Sequence, residues 1–177
     1  MKTPTRASDL TLHTKILWIA VGLIVVSVLV MIIRQATSTT VDQYWEKTSI
    51  TFEWTTGRKA PEIEVEIADT SYKQEYWLMF RGQLNWWDGM IFVFDDEIVR
   101  SFWMKNTYIP LDMIFVDGSG VVVSVYPGAK PLEETPISSI KPAKYVIEVS
   151  SWWSVESRII PGVVVKWDLI KWIATIK

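Results

Sequence analysis

At 177 residues, 49% of them hydrophobic, the chain has material for one cored domain plus an appendage and is too apolar to be disordered throughout. With no cysteine and a single histidine, His13, it excludes disulfides, thiolate metal sites and a Ser-His-Asp triad beyond the N-terminal tail. From residue 35 onward, 14 Lys and Arg stand against 19 Asp and Glu, with no basic run to hold nucleic acid.

Residues 1–15 form a polar tail carrying Lys2, Arg6 and Lys15 against Asp9. Residues 16–33, "ILWIAVGLIVVSVLVMII", hold no charge, and thirteen of the eighteen are Ile, Leu or Val. As a helix this stretch covers about 27 Å, close to a hydrocarbon core, and it predicts a single membrane span. A cleaved leader would have a shorter apolar region and a small-residue site after it; Arg34 and Gln35 ahead of Ala36 match that poorly. The basic bias of the tail places the N-terminus in the cytoplasm and the C-terminal domain outside it. Residues 34–47 read as a polar linker, and 48–177 as the extracytoplasmic domain.

Within that domain the signals are mainly β. Residues 62–69, "EIEVEIAD", alternate strictly, with Ile63, Val65 and Ile67 on one side and Glu62, Glu64 and Glu66 on the other. A short helix is predicted over 71–76, where Ser71-x-x-Gln74 has the form of a capping box. "MIFVF" (90–94) and "DMIFV" (112–116) are strand-length apolar runs, and "DGSG" (117–120) leads into "VVVSVY" as a hairpin. The prolines at 127, 131, 136 and 142 mark 126–143 as irregular loop. "KYVIEV" (144–149) and "DLIKWIATI" (168–176) supply further strands, and 48–52 a weaker one. Together they predict a mainly β domain, a compact antiparallel sandwich or small barrel with one short helix, preceded by a single transmembrane helix.

Eleven tryptophans in so small a chain are unusual, and several stand at turns. Trp77 follows the predicted helix, Trp86 and Trp87 precede a strand, Trp152 and Trp153 follow one, and Trp167 precedes the last. At such places the backbone is commonly left-handed and glycine has no steric penalty.

The pieces "LMFRGQL", "DGMIFVFD", "SFWMKNTYIPLDMIFVD" and "YVIEV" resemble the domain of unknown function 192, a family of small, mostly β proteins often secreted or tethered by an N-terminal segment. The resemblance covers residues 63–173 and assigns neither activity nor catalytic residues. It implies glycine where this chain has Trp77, Trp152 or Trp153, and Trp167. These departures run from glycine to tryptophan, as they would if the gene's UGA codons encode glycine. That reading expects left-handed backbone at these tryptophans, whereas Trp103, inside "FWMKNT", is a genuine tryptophan. Taken as written, paired exposed tryptophans instead suggest a carbohydrate-binding module stacking on sugar rings.

The densest polar cluster is Arg81, Lys105, Asn106 and Asp112, set around Pro110. Asn106 and Thr107 can satisfy local backbone and simply fix a loop. As a site, Arg81, Lys105, Asn106 and Asp112 would surround a small anionic or polar ligand: Lys105 for charge, Asn106 for hydrogen bonds, Asp112 for orientation. A hydrolase using Asp112 with Lys105 is the enzymatic alternative and would need a second carboxylate across a cleft. "FDDE" (94–97) reads as a solvated turn and not a cation site. Met79, Met90, Met104 and Met113 read as core filler in preference to soft copper ligands. No metal, cofactor or catalytic residue is assigned. The expectation is a membrane-held domain of unknown function that binds a small polar ligand or an envelope partner, and not nucleic acid.

Overall fold

The computed structural model describes residues 7–42, 46–76 and 78–167. It divides into two compact units, 1–45 and 46–177. The first contains α1 (Ala7–Asp42), whose stretch Thr14–Ile33 is long and apolar enough to cross a membrane. The helix continues through residues 35–42, which the composition assigns to a linker. Threonine and serine are only mildly unfavourable in a helix that is already nucleated.

The second unit is mainly β, with one seven-stranded curled sheet, a half-barrel. Its strands are β1 (Lys47–Glu53), β2 (Ile63–Ala68), β3 (Asp88–Phe102), β4 (Leu111–Val116), β5 (Val122–Ala129), β6 (Ile137–Ser150) and β7 (Val164–Trp167), in the order β5-β4-β6-β3-β2-β1-β7. Only β2 and β3 run parallel; every other neighbouring pair is antiparallel. The curl brings the outermost strands together at one end. There Val122 N–H donates to Val163 O at 2.8 Å and Val165 N–H to Gly120 O at 2.8 Å. Of the two predicted architectures, the curled sheet corresponds to the barrel and not to the sandwich.

The concave core takes alternate residues of each strand: Ile63, Val65 and Ile67 from β2, Ile114 and Val116 from β4, Ile147 and Val149 from β6. The alternation in "EIEVEIAD" is thereby explained. Gly89 lets β3 lie close to its neighbours, since a Cβ there would stand 2.8 Å from the Glu148 carbonyl oxygen.

The helix predicted at 71–76 is α2 (Ser71–Tyr76). Its cap is Thr70, whose Oγ1 accepts from Lys73 N–H at 3.3 Å, and not Ser71. Gln74 instead donates to Ala68 O (3.3 Å) and Val93 O (2.8 Å), fastening α2 to the β2–β3 pair. The 117–120 hairpin turn is present. Asp117 Oδ1 accepts from the backbone N–H groups of Ser119 and Val121, both at 2.9 Å.

Two readings, of 126–143 and of 94–97, are corrected. The stretch 126–143 is not a loop throughout, because β5 runs to Ala129 and β6 begins at Ile137. Pro142 is accommodated where the β3–β6 register shifts, and the Ser139 hydroxyl stands in for a ladder acceptor by receiving Arg100 N–H at 2.9 Å. The last described strand is Val164–Trp167; the predicted strand at 168–176 lies outside the described residues. "FDDE" is not a turn between strands but lies within β3, its three acids exposed, where its register with β6 also shifts.

The tryptophans divide. Trp152 has φ 72° and precedes a short helix, α3 (Trp153–Glu156). Trp86, Trp87, Trp153 and Trp167 do not have positive φ, which corrects the expectation of left-handed backbone there. Trp86 and Trp87 form an ordinary turn closed by Asp88 N–H to Asn85 O at 3.1 Å. Trp153 is fully buried against Phe52, ring centroids 5.7 Å apart, and Trp167 packs on Tyr145 at 4.8 Å. Trp77 lies outside the described residues.

Candidate functional site

β3 and β6 turn their other side toward a cleft of about 680 Å³. Its apolar walls come from Phe92, Phe94 and Phe102 of β3 and from Leu78 and Met79 after α2. The three phenylalanines pack edge to face, with Phe102 5.2 Å from Phe92 and 6.3 Å from Phe94. Ser71, Gln74 and Glu75 of α2 close one side, and Trp103, Lys105, Asn106 and Thr107 the other.

Lys105 and Asn106 therefore line this cleft, as do neither Arg81 nor Asp112. Lys105 is exposed, its amine 5.7 Å from the Trp103 ring, and no carboxylate pairs with it among the described residues. Asn106 sits in a left-handed conformation (φ 57°) that asparagine tolerates, and its carbonyl accepts Phe80 N–H at 2.9 Å. Arg81 forms an ion pair with Glu66 at 2.7 Å. Burial raises the Glu66 carboxyl above its ordinary range, against the opposing pull of Arg81.

Asp112 is fully buried. Its Oδ1 accepts from Gly128 N–H (2.8 Å) and Trp152 N–H (3.0 Å), and its Oδ2 from Ser154 N–H (2.9 Å) and the Ser154 hydroxyl (2.6 Å). It pins the start of α3 and the end of β5 to β4, so its oxygens are committed within the protein. The four-residue grouping thus separates into two cleft residues, one part-buried ion-pair member and one internal staple.

The residue that sequence reasoning missed is Glu148. It stands on β6 between Met90 of β3 and Met113 of β4 in register, is 5% exposed, and lines the cleft. Burial raises its carboxyl to about 8, so it is protonated at neutral pH. The available signal was a single acid inside the apolar run "YVIEV", which alternation alone assigns to a wet side. Arg100, also lining the cleft, lies over the Phe94 ring at 3.9 Å and is paired with Asp96. Among the described residues, no cluster of three or more His, Asp or Glu side chains is arranged to hold a metal.

The family model DUF192, described as "Uncharacterized ACR, COG1430", matches residues 52–167. No curated protein matches. Several solved structures are similar, among them the following two. One is a Sinorhizobium meliloti 1021 protein with a provisional description as a transcription regulator: 31% identical, TM-score 0.67, covering 70% of this chain and 95% of that one. The other is a protein of unknown function from Novosphingobium aromaticivorans DSM 12444: 36% identical, TM-score 0.63, covering 67% of this chain and 84% of that one. By the extent of the family match, carried on the curled sheet that frames the cleft, the chain belongs to the DUF192 family.

Proposed function

We propose that the C-terminal unit is a small-molecule binding domain whose site is the cleft between α2, β3 and the 103–107 loop. The observation that carries this is a concave, aromatic-walled space of about 680 Å³ with a few polar groups converging on it, the usual form of a ligand pocket. With Glu148 neutral and Arg100 paired with Asp96, the lining charges left are Lys105 and Glu75, and Lys105 offers a place for the negative group of an anionic ligand. A carbohydrate platform is less well supported, because Trp153 is buried in the core and, among the described tryptophans, only Trp103 lines the cleft. A hydrolase built on Asp112 is disfavoured because all its hydrogen-bonding capacity is used internally.

The test uses 1-anilinonaphthalene-8-sulfonate, an anion with an apolar body. Residues 46–177 should bind one equivalent with enhanced fluorescence. Ser101→Trp, at an exposed position of the cleft lining, should abolish that binding and leave the circular dichroism unchanged. Binding undiminished in Ser101→Trp overturns the assignment.

In the same reading α1 anchors this domain to a membrane. Its residues 16–33 are apolar all round and uncovered, the composition lipid accepts. The full chain should stay in the membrane pellet through an alkaline carbonate wash; release into the supernatant overturns the anchor. Position 152 fits a glycine codon, supported by its left-handed backbone and by an exposed ring. UGG at that codon in the gene overturns this.

A further inference from the structure

Glu148 differs from every other buried polar group around the cleft. No hydrogen bond or ion pair reaches its carboxyl from any described residue, and its strand neighbours Met90 and Met113 are wholly buried. Its carboxyl opens on the cleft, so a group that enters there can make the hydrogen bond that the protein does not supply. Gly89, held against the Glu148 carbonyl, and the close β3–β6 pairing keep this strand fixed, so the side chain stays directed at the cleft. The mouth carries the opposite kind of group. Arg100 is taken by Asp96, which leaves Lys105 as the uncommitted cation among the described lining residues.

We infer that the ligand is an organic anion whose inner end bears a hydroxyl or carbonyl that hydrogen-bonds to Glu148, with its charge held at the mouth beside Lys105. This rests on the cleft being the binding site. The polarity follows from solvation. A negative group at the floor would be a buried charge with no cation beside it, whereas a neutral polar group there satisfies Glu148 without that penalty. At the mouth, Lys105 is exposed and can meet an anion that stays partly hydrated. Between the two ends, Phe92, Phe94 and Phe102 suit a flat or apolar body. Glu148 is then the specificity-determining residue, since a site built to hydrogen-bond a ligand group discriminates against analogues lacking it.

Calorimetric titration with 4-hydroxycinnamate and cinnamate tests this. Residues 46–177 are the right material, because they hold a separate core and the solved S. meliloti relative is 95% covered by the match. The hydroxylated anion should bind about tenfold more tightly, the size of one buried hydrogen bond. Glu148→Leu should erase that preference, Glu148→Gln should keep it, and Lys105→Ala should weaken both probes equally. Equal affinities in the parent protein, or a preference that survives in Glu148→Leu, overturn the inference. If the anilinonaphthalene sulfonate binds while the hydroxyl makes no difference, only this inference falls. If none of the three anions binds, the cleft reading falls with it.

Discussion

Asp112 and Glu148 are buried carboxylates on adjacent strands, one register step apart, and they meet opposite fates. Asp112 pairs across the sheet with Val149 and faces the concave core, where four donors converge on it. Glu148 pairs with Met113 and faces the cleft, where nothing among the described residues donates to it. Burial alone therefore does not define a carboxylate's role. The donors supplied to it do: a saturated acid holds a fold together, and one that opens on a cavity without a protein donor can take its partner from outside.

The largest expected effect is at the saturated site. Asp112→Ala leaves three backbone N–H groups and a hydroxyl without their acceptor and should cost about 5 kcal/mol in denaturant unfolding. A loss below about 1 kcal/mol would mean that the staple is unimportant and the contrast false. Glu148 should respond through pH. Its folded carboxyl lies at about 8 against an ordinary 4.5, so the folded state keeps a proton that the unfolded chain releases. Stability is then fully present below about pH 4.5, falls as pH rises, and reaches its lower level above about 8. Glu148→Gln removes that fall. It should match the parent near pH 4 and exceed it near pH 9 by on the order of 4 kcal/mol. Parallel stability profiles for the two proteins would show that Glu148 ionises normally.

The tryptophan pair offers the smaller, matching test. Trp153→Gly empties a fully buried site beside Phe52 and should destabilise by about 4 kcal/mol, even though its indole N–H has no partner. Trp152→Gly relieves a left-handed residue with an exposed ring and should stabilise by about 1 kcal/mol. A stabilising Trp153→Gly would extend the glycine reading to a position where the packing opposes it.

Much of the fold was legible because local rules act within a few residues. The 71–76 helix, the Asp117 hairpin and the strict alternation of 62–69 all fold as their composition predicts. What failed depended on distant partners. Pro142 reads as a strand breaker until Ser139 supplies the acceptor that keeps β6 going past it. Asp112 reads as a ligand-site residue beside Lys105 and Asn106 because its donors lie 16 to 42 residues away. Glu148 reads as the wet side of a strand because nothing local announces that α2 and the 103–107 loop wall that side. Lys105 and Asn106 were accessible to sequence reasoning, being neighbours in one motif that brings both to the same cleft.

The meeting of β5 and β7 carries one more consequence. Where Val122 and Val165 bond across to Val163 and Gly120, the start of β5 and the middle of β7 do not present those amides and carbonyls to a foreign chain. That end of the domain is closed to strand addition and to the self-templated stacking that leads to fibrils. A β-domain at high local concentration gains from such a seam, which shortens the free edge that a second copy could extend.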